Sequence, residues 1–202
     1  MTIRNICLTL VETPEIEAKA RVHFVERGLE NVDFFYGIHA KTAGLSTSNN
    51  YEIDNPGQGW NIGAHGVGIY ISFRLMWSAM MLLPETHFFV VEHDVELHPD
   101  WKARYEQALK DAPEDFDVLF IGHCCASGKK RGRFAGQVCD VRYPFCNHAS
   151  VIAKKALRTL IEKCNRCWAP IDIQMAMEAF PHLKVCTLMP SAAGQFNTDL
   201  PS

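Results

Sequence analysis

Two runs, Phe88-Phe89-Val90-Val91 and Val118-Leu119-Phe120-Ile121, are apolar at every position, and nothing else in the chain limits its possible folds so tightly. Short runs with this aromatic and β-branched content mark buried strands. Helical sequence lies around them. Thr13, Pro14, Glu15 and Glu17 supply an N-cap, a first-turn proline and two acids matched to a helix dipole, and Gly28 supplies a stop, which predicts a helix over Pro14–Arg27. Further helices are expected over residues 67–83, 99–112, 154–163 and 171–180, and further strands over 6–11, 31–37, 150–153 and 184–189. Strands alternating with helices imply crossover connections and an α/β fold with a mostly parallel central sheet flanked by helices. Residues 41–65 and 124–145, rich in Gly and polar residues, read as two long surface loops.

A chain of 202 residues that is 48% hydrophobic can bury a full core, and residues 1–202 are read as a single domain. With 20 basic against 23 acidic residues, the net charge of −3 lacks the basic excess of nucleic-acid binders. The first twelve residues are too short and too polar for a secretory leader, and the apolar segment 67–83 carries Arg74 and ends at Pro84, so a buried helix is expected in place of a membrane span. The expectation is a cytoplasmic protein without a transmembrane segment. Of eight cysteines, Cys7 and Cys186 fall in strand-like runs as core residues. A single CxxC, Cys164 to Cys167, favours reduced thiols; a disulfide, or a zinc-stabilised interaction module built on Cys139, Cys146, Cys164 and Cys167, is the alternative.

Chemistry is expected where the first apolar run ends, at Glu92, His93 and Asp94. In open α/β sheets, ligands bind beyond the carboxyl ends of the strands. In extended chain Glu92 and Asp94 project to one side and His93 to the other. Two carboxylates on one side make a hard oxygen site suited to Mn²⁺ or Mg²⁺ with a phosphate-bearing ligand. Asp172 opens a helix behind Pro170, as a dipole-matched acid or a general base, and His148 precedes an apolar strand, as a core histidine or a base. Lys129, Lys130, Arg131 and Arg133 suit phosphate oxygens or plain solvent, and Tyr51 and Trp60 could stack on a sugar ring.

The order of motifs resembles glycosyltransferase family 25, the lipooligosaccharide and collagen galactosyltransferases. The residues carrying the likeness are Gly68, Ser72 and Trp77 of a G-C-x-x-S-H-x-x-x-W helix, Val91-Glu92-His93-Asp94-Val95 against L-E-D-D-V, and Asn147-His148-Ala149-Ser150-Val151-Ile152-Ala153 against x-x-H-A-Y-V-I-S. Ile171-Asp172 stands against V-D, the segment VDFFYGIHA is similar to F-F-x-A-I-D-G, and Gln195 follows Pro190 as in P-x-x-x-x-Q. The chain departs from the pattern at Phe73 and His93, where the family has His and Asp, and it lacks the arginine expected in VETPEIEAK. The resemblance implies a GT-A type fold that binds a nucleotide sugar. It implies transfer of a hexose, galactose above all, from a UDP-sugar to a glycan or other hydroxyl acceptor, in a setting such as lipopolysaccharide biosynthesis. Metal would sit on Asp94 and Glu92, and Thr9, Ser72, Glu92, Asp94 and Gln195 would contact the donor. Asp172 would be the catalytic base, with His148 next in line. A degenerate, non-catalytic nucleotide-sugar or glycan-binding domain of the same fold is the alternative.

Overall fold

The computed structural model describes residues 1–45 and 62–196, and only the backbone at 125–135 and 141–143. Its elements run β1 (Ile3–Thr9), α1 (Pro14–Arg27), β2 (Val32–Tyr36), α2 (Ala64–Leu82), β3 (His87–Glu92), β4 (Val95–Leu97), α3 (Trp101–Asp111) and β5 (Val118–Gly122). They continue with β6 (Cys125–Ala135), β7 (Val138–Phe145), β8 (Ala149–Ala153), α4 (Lys154–Lys163), α5 (Ile171–Gln174), β9 (Val185–Leu188) and β10 (Ala193–Gln195). Helix α5 passes without a break into a π turn, Met175–Ala179, and a 3-10 turn, Phe180–His182.

Helix α1 has the expected bounds, and Gly28 ends it in the left-handed region at φ 68°, its N–H donating to the Val25 carbonyl. The side chain of Thr13 does not cap the helix; its hydroxyl turns back to the Leu10 carbonyl at 3.2 Å, and its own carbonyl accepts the first helical N–H groups.

The sheet is mixed, not mostly parallel. Its main path is β2-β1-β3-β8-β5-β9-β7-β6, with β10 pairing β4 and β5. β1 is parallel to β2 and β3, and β5 to β9, but β8 runs antiparallel between β3 and β5. The cause lies in residues 124–145, which form a long antiparallel hairpin instead of a loop. Its turn is Gly136-Gln137, with Gly136 at φ 51°, a conformation that favours glycine in a two-residue hairpin turn. β5 and β8 are thus joined by a hairpin in place of a crossover helix, so β8 starts at the end where β5 stops and must run back. This reversal sets His148, at the head of β8, beside the carboxyl end of β3: the Glu92 N–H donates to the His148 carbonyl at 3.2 Å.

Both faces of the central strands are covered, which explains why their sequence is apolar without alternation. Phe88, Val90, Val118 and Phe120 pack with Phe73, Met76 and Trp77 of α2 and Leu157 and Leu160 of α4. Phe89, Val91, Leu119 and Ile121 pack on the other face with Phe24 of α1 and Trp101 of α3, and the Phe89 and Trp101 rings stack at 5.8 Å. No helix among the described residues is long and apolar enough to cross a membrane.

Candidate functional site

Strand β3 ends at Glu92, and the next two residues form a turn before β4 begins. A cleft opens there, lined by Thr9, His65, Ser72, Glu92, His93, Asp94 and Gln195. The expectation that His93 would point away from the two acids is overturned, because side-chain alternation holds only while the backbone stays extended. His93 lines the same cleft and its Nδ1 meets the Thr9 hydroxyl at 3.0 Å, with its pKa lowered by burial. The His93 N–H donates to the Leu8 carbonyl, which pins the turn to the end of β1.

Asp94 is half-buried, and the Gln195 side-chain amide donates to its Oδ2 at 3.0 Å. That contact exists because β10 pairs antiparallel with β4, opposing Gln195 to Val95, and because the Phe196 N–H donates to the Asp94 carbonyl. Glu92 faces the other way along the cleft, toward β8. Its carboxylate lies 3.7 Å from Nδ1 of the buried His148, beyond hydrogen-bond reach. Burial pushes the Glu92 carboxyl above its ordinary range, the attraction to His148 pulls it down, and the nearby negative charges of Asp94 and Asp172 push it up again.

Asp172 sits at the start of α5, where its Oδ1 accepts the Ile173 N–H at 2.8 Å and its Oδ2 accepts the Cys146 N–H at 3.1 Å. One carboxylate therefore both serves the first turn of its helix and anchors the chain as it leaves β7. Neither Asp172 nor His148 lines the cleft of Asp94; they stand behind Glu92, on the β8 side. The ring of His148 touches the Cys124 sulfur through Nε2 at 3.1 Å. Cys124 and Cys146, whose Cα atoms are 5.6 Å apart, form a disulfide at the base of the hairpin.

Two motif residues in α2 have packing roles that the sequence does not reveal. A Cβ on Gly68 would lie 2.8 Å from the Ile38 carbonyl oxygen, so α2 can approach the chain after β2 only at a glycine. One turn on, the Ser72 hydroxyl accepts the Ile38 N–H at 2.7 Å and donates to the Gly68 carbonyl at 2.7 Å, tying the same two segments together. Phe73, at the family's histidine position, is wholly buried with its ring 5.8 Å from that of Trp77. Thr9 is buried at the mouth of β1 and held by His93.

The four cysteines of the zinc-module alternative are not brought together: Cys139, Cys164 and Cys167 are free and buried, and Cys146 is bonded to Cys124. Of the basic run at 129–133 the structure gives only the strand backbone of β6, and Tyr51 and Trp60 lie outside the described residues. The disulfide pair was missed because its members stand 22 positions apart and meet only through the hairpin pairing.

No family model matches the chain, and no curated protein matches it. Among solved structures, the chain is similar to a glycosyltransferase involved in the glycosylation of the major capsid of PBCV-1, at a TM-score of 0.58 and 12% identity over 98% of this chain and 95% of that one. It is also similar to the inositol-1-phosphate CTP transferase from T. maritima, at a TM-score of 0.50 and 10% identity over 98% of this chain and 90% of the other. These likenesses show a glycosyltransferase-like fold; membership of family 25 is not shown by them.

Proposed function

We propose that the protein is a divalent-metal-dependent glycosyltransferase that takes a hexose, galactose above all, from a UDP-sugar and passes it to a hydroxyl group of a glycan or similar acceptor. The observation that carries this reading is the cleft at the carboxyl end of β3, where Glu92, His93 and Asp94 open among Thr9, Ser72 and Gln195. Support comes from the fold, which is shared across nearly the whole chain with the capsid glycosyltransferase. The second solved structure of similar fold is that of a CTP transferase, which favours a nucleotide ligand for this chain.

The residues present fit a hard divalent cation. Asp94 offers carboxylate oxygen to the cleft, and among the described residues only its Oδ2 is engaged, by Gln195. Glu92 adds a second carboxyl whose raised pKa reflects burial beside other acids, a setting that a cation would relieve. Asp94 would hold Mn²⁺ or Mg²⁺ with Glu92 in support, and the ion, when bound, supplies Lewis-acid neutralisation of the departing diphosphate. Gln195 keeps the Asp94 carboxylate aimed into the cleft, and the pair His93–Thr9 ties the turn to the end of β1. Asp172 is the proposed base that takes the acceptor proton as the anomeric carbon is attacked. Exposure favours it over His148: both stand on the β8 side of Glu92, but Asp172 is half-buried, whereas His148 is buried with its Nδ1 3.7 Å from the Glu92 carboxylate.

Calorimetry with UDP and UDP-sugars, with and without Mn²⁺, tests the reading. Mn²⁺ should tighten UDP binding to the wild type, and Asp94→Asn, which keeps the shape but removes the charge, should abolish that gain. Equal binding by the two proteins rules out the metal role of Asp94. Tight binding with no transfer to any hydroxyl acceptor makes the protein a binding domain of the same fold, and no binding of any nucleotide sugar overturns the proposal.

A further inference from the structure

Behind the carboxylate cleft lies a cluster of a different chemical kind. Cys124 Sγ, Cys146 Sγ and a ring nitrogen of His148 all fall within 4.8 Å of one another. Two sulfurs and an imidazole are soft and borderline ligands, unsuited to the hard cations that carboxylates prefer and well suited to zinc. We propose that Cys124, Cys146 and His148 form a separate site for a thiophilic divalent ion of the Zn²⁺ class, open when the two cysteines are thiols and closed when they are joined as the disulfide.

The surroundings of each ligand support this assignment. His148 turns Nε2 to the sulfur of Cys124 at 3.1 Å and Nδ1 to the carboxylate of Glu92 at 3.7 Å, and that Nδ1 is buried without a hydrogen-bond partner. A metal-bound imidazole typically passes its other N–H to a carboxylate, and a small closing of the Glu92 gap would complete that arrangement. Cys146 has a left-handed backbone at φ 59° and its N–H is held by Asp172, so its sulfur is aimed by a conformation that non-glycine residues rarely adopt. Cys124 is exposed, which gives an ion a route in and leaves a fourth position to water.

The two states exclude each other on geometry. Tetrahedral ligation at about 2.3 Å per Zn–S bond separates the sulfurs by roughly 3.7 Å, which a covalent S–S bond forbids. Closing the site by oxidised glutathione moves two electrons and two protons from the protein dithiol and leaves the disulfide and two molecules of glutathione. Opening it with a thiol reductant reverses that exchange, and binding of the metal to the dithiol then releases two protons. Because His148 contacts Glu92, occupation of this site would be felt at the proposed glycosyl-transfer cleft, but the site itself does not depend on that reading.

Cobalt(II) is the probe, since thiolate-to-cobalt charge-transfer absorption reports sulfur ligation directly. Reduced full-length protein should bind one equivalent with a strong thiolate band, Zn²⁺ should displace it, and protein oxidised with glutathione should show no band. Cys124→Ser and Cys146→Ser should each lose the thiolate absorption or cut the affinity at least 100-fold, while Asp94→Asn keeps it. A reduced wild type without the band overturns the proposal, as does a band that persists after oxidation or that forms with undiminished affinity in both cysteine variants. Cobalt bound without sulfur absorption and lost in Asp94→Asn would place the ion at the carboxylates and refute the thiolate site. If either cysteine variant fails to fold by circular dichroism, the comparison of reduced and oxidised wild type still decides.

Discussion

Replacing Asp172 by Asn separates a structural from a chemical role for this carboxylate. Asp172 accepts two backbone N–H groups, from Ile173 at 2.8 Å and from Cys146 at 3.1 Å. Asparagine has one acceptor oxygen, so it can keep one bond, and its amide nitrogen then faces the other N–H. A hydrogen bond to a charged acceptor contributes about 1.5–3 kcal/mol. Loss of the negative charge from the first turn of the helix costs a further ~0.3–1 kcal/mol. Since Asp172 is half-buried, the lower part of that range applies, and the variant should be destabilised by about 2 kcal/mol. For a chain of this size that corresponds to a fall in Tm of roughly 4–8 °C. Thermal melts and urea denaturation, with a lower midpoint at unchanged m, measure it without any substrate. Transfer, assayed well below the melting range, should fall ~100-fold to 10,000-fold if Asp172 is the base. A Tm within about 1 °C of the wild type would refute the anchoring role drawn from the two bonds. Full stability loss with near-normal transfer would leave Asp172 as the anchor of Cys146 and remove it from the chemistry.

Other consequences can be checked on the same protein. Gly68→Ala gains about 1 kcal/mol of helix propensity but places a methyl 2.8 Å from the Ile38 carbonyl, so α2 must shift; a net loss of ~1–2 kcal/mol is expected, and an increase in Tm would refute the close approach. Trp77→Ala, deleting a wholly buried ring of the α2 face, should cost about 3–5 kcal/mol in urea denaturation. Acidification should destabilise the fold: His23, His87, His93 and His123 are all held below the ordinary 6.5, by burial before any other cause. The unfolded chain therefore takes up more protons as pH falls through 6.5, and stability is lost from about pH 7 downward. Glu92, with its pKa raised from 4.5, acts in the opposite sense, losing stability as pH rises from 4.5 through its folded value. His23→Gln should flatten the acid slope, since the Nε2 that accepts the Leu97 N–H at 2.8 Å is replaced by an acceptor that does not titrate; an unchanged slope removes His23 from the account.

How far the sequence carried differed between elements for physical reasons. Local signals settled α1, where Pro14 and Gly28 bound the helix by backbone geometry alone, and α4, whose limits are those expected. The apolar runs of β3 and β5 were equally legible, since a strand covered on both faces carries no polar alternation. Residues 124–145 misled because glycine and charge weigh toward a loop, yet an edge hairpin tolerates both: among the described residues β6 pairs only with β7, and its register slips at several points. That hairpin, with the antiparallel pairing of β10 on β4, makes the sheet mixed where a mostly parallel one is expected.

The same division runs through the site. That Glu92 and Asp94 would stand at the end of a buried strand follows from the residues in order, because a strand must expose what its core cannot hold. Which way each side chain turns does not follow, since it depends on the backbone leaving the strand at Glu92 and on partners distant in the chain. Gln195 reaches Asp94 across 101 positions through the pairing of β10 with β4, and Thr9 reaches His93 across 84 through the pairing of β1 with β3. The meeting of Cys124, Cys146 and His148 depends on the hairpin and on the reversed β8. Composition and periodicity act over a few residues and so fix the elements, whereas strand order and direction minimise the free energy of the whole packed sheet and are written in no single segment of the chain.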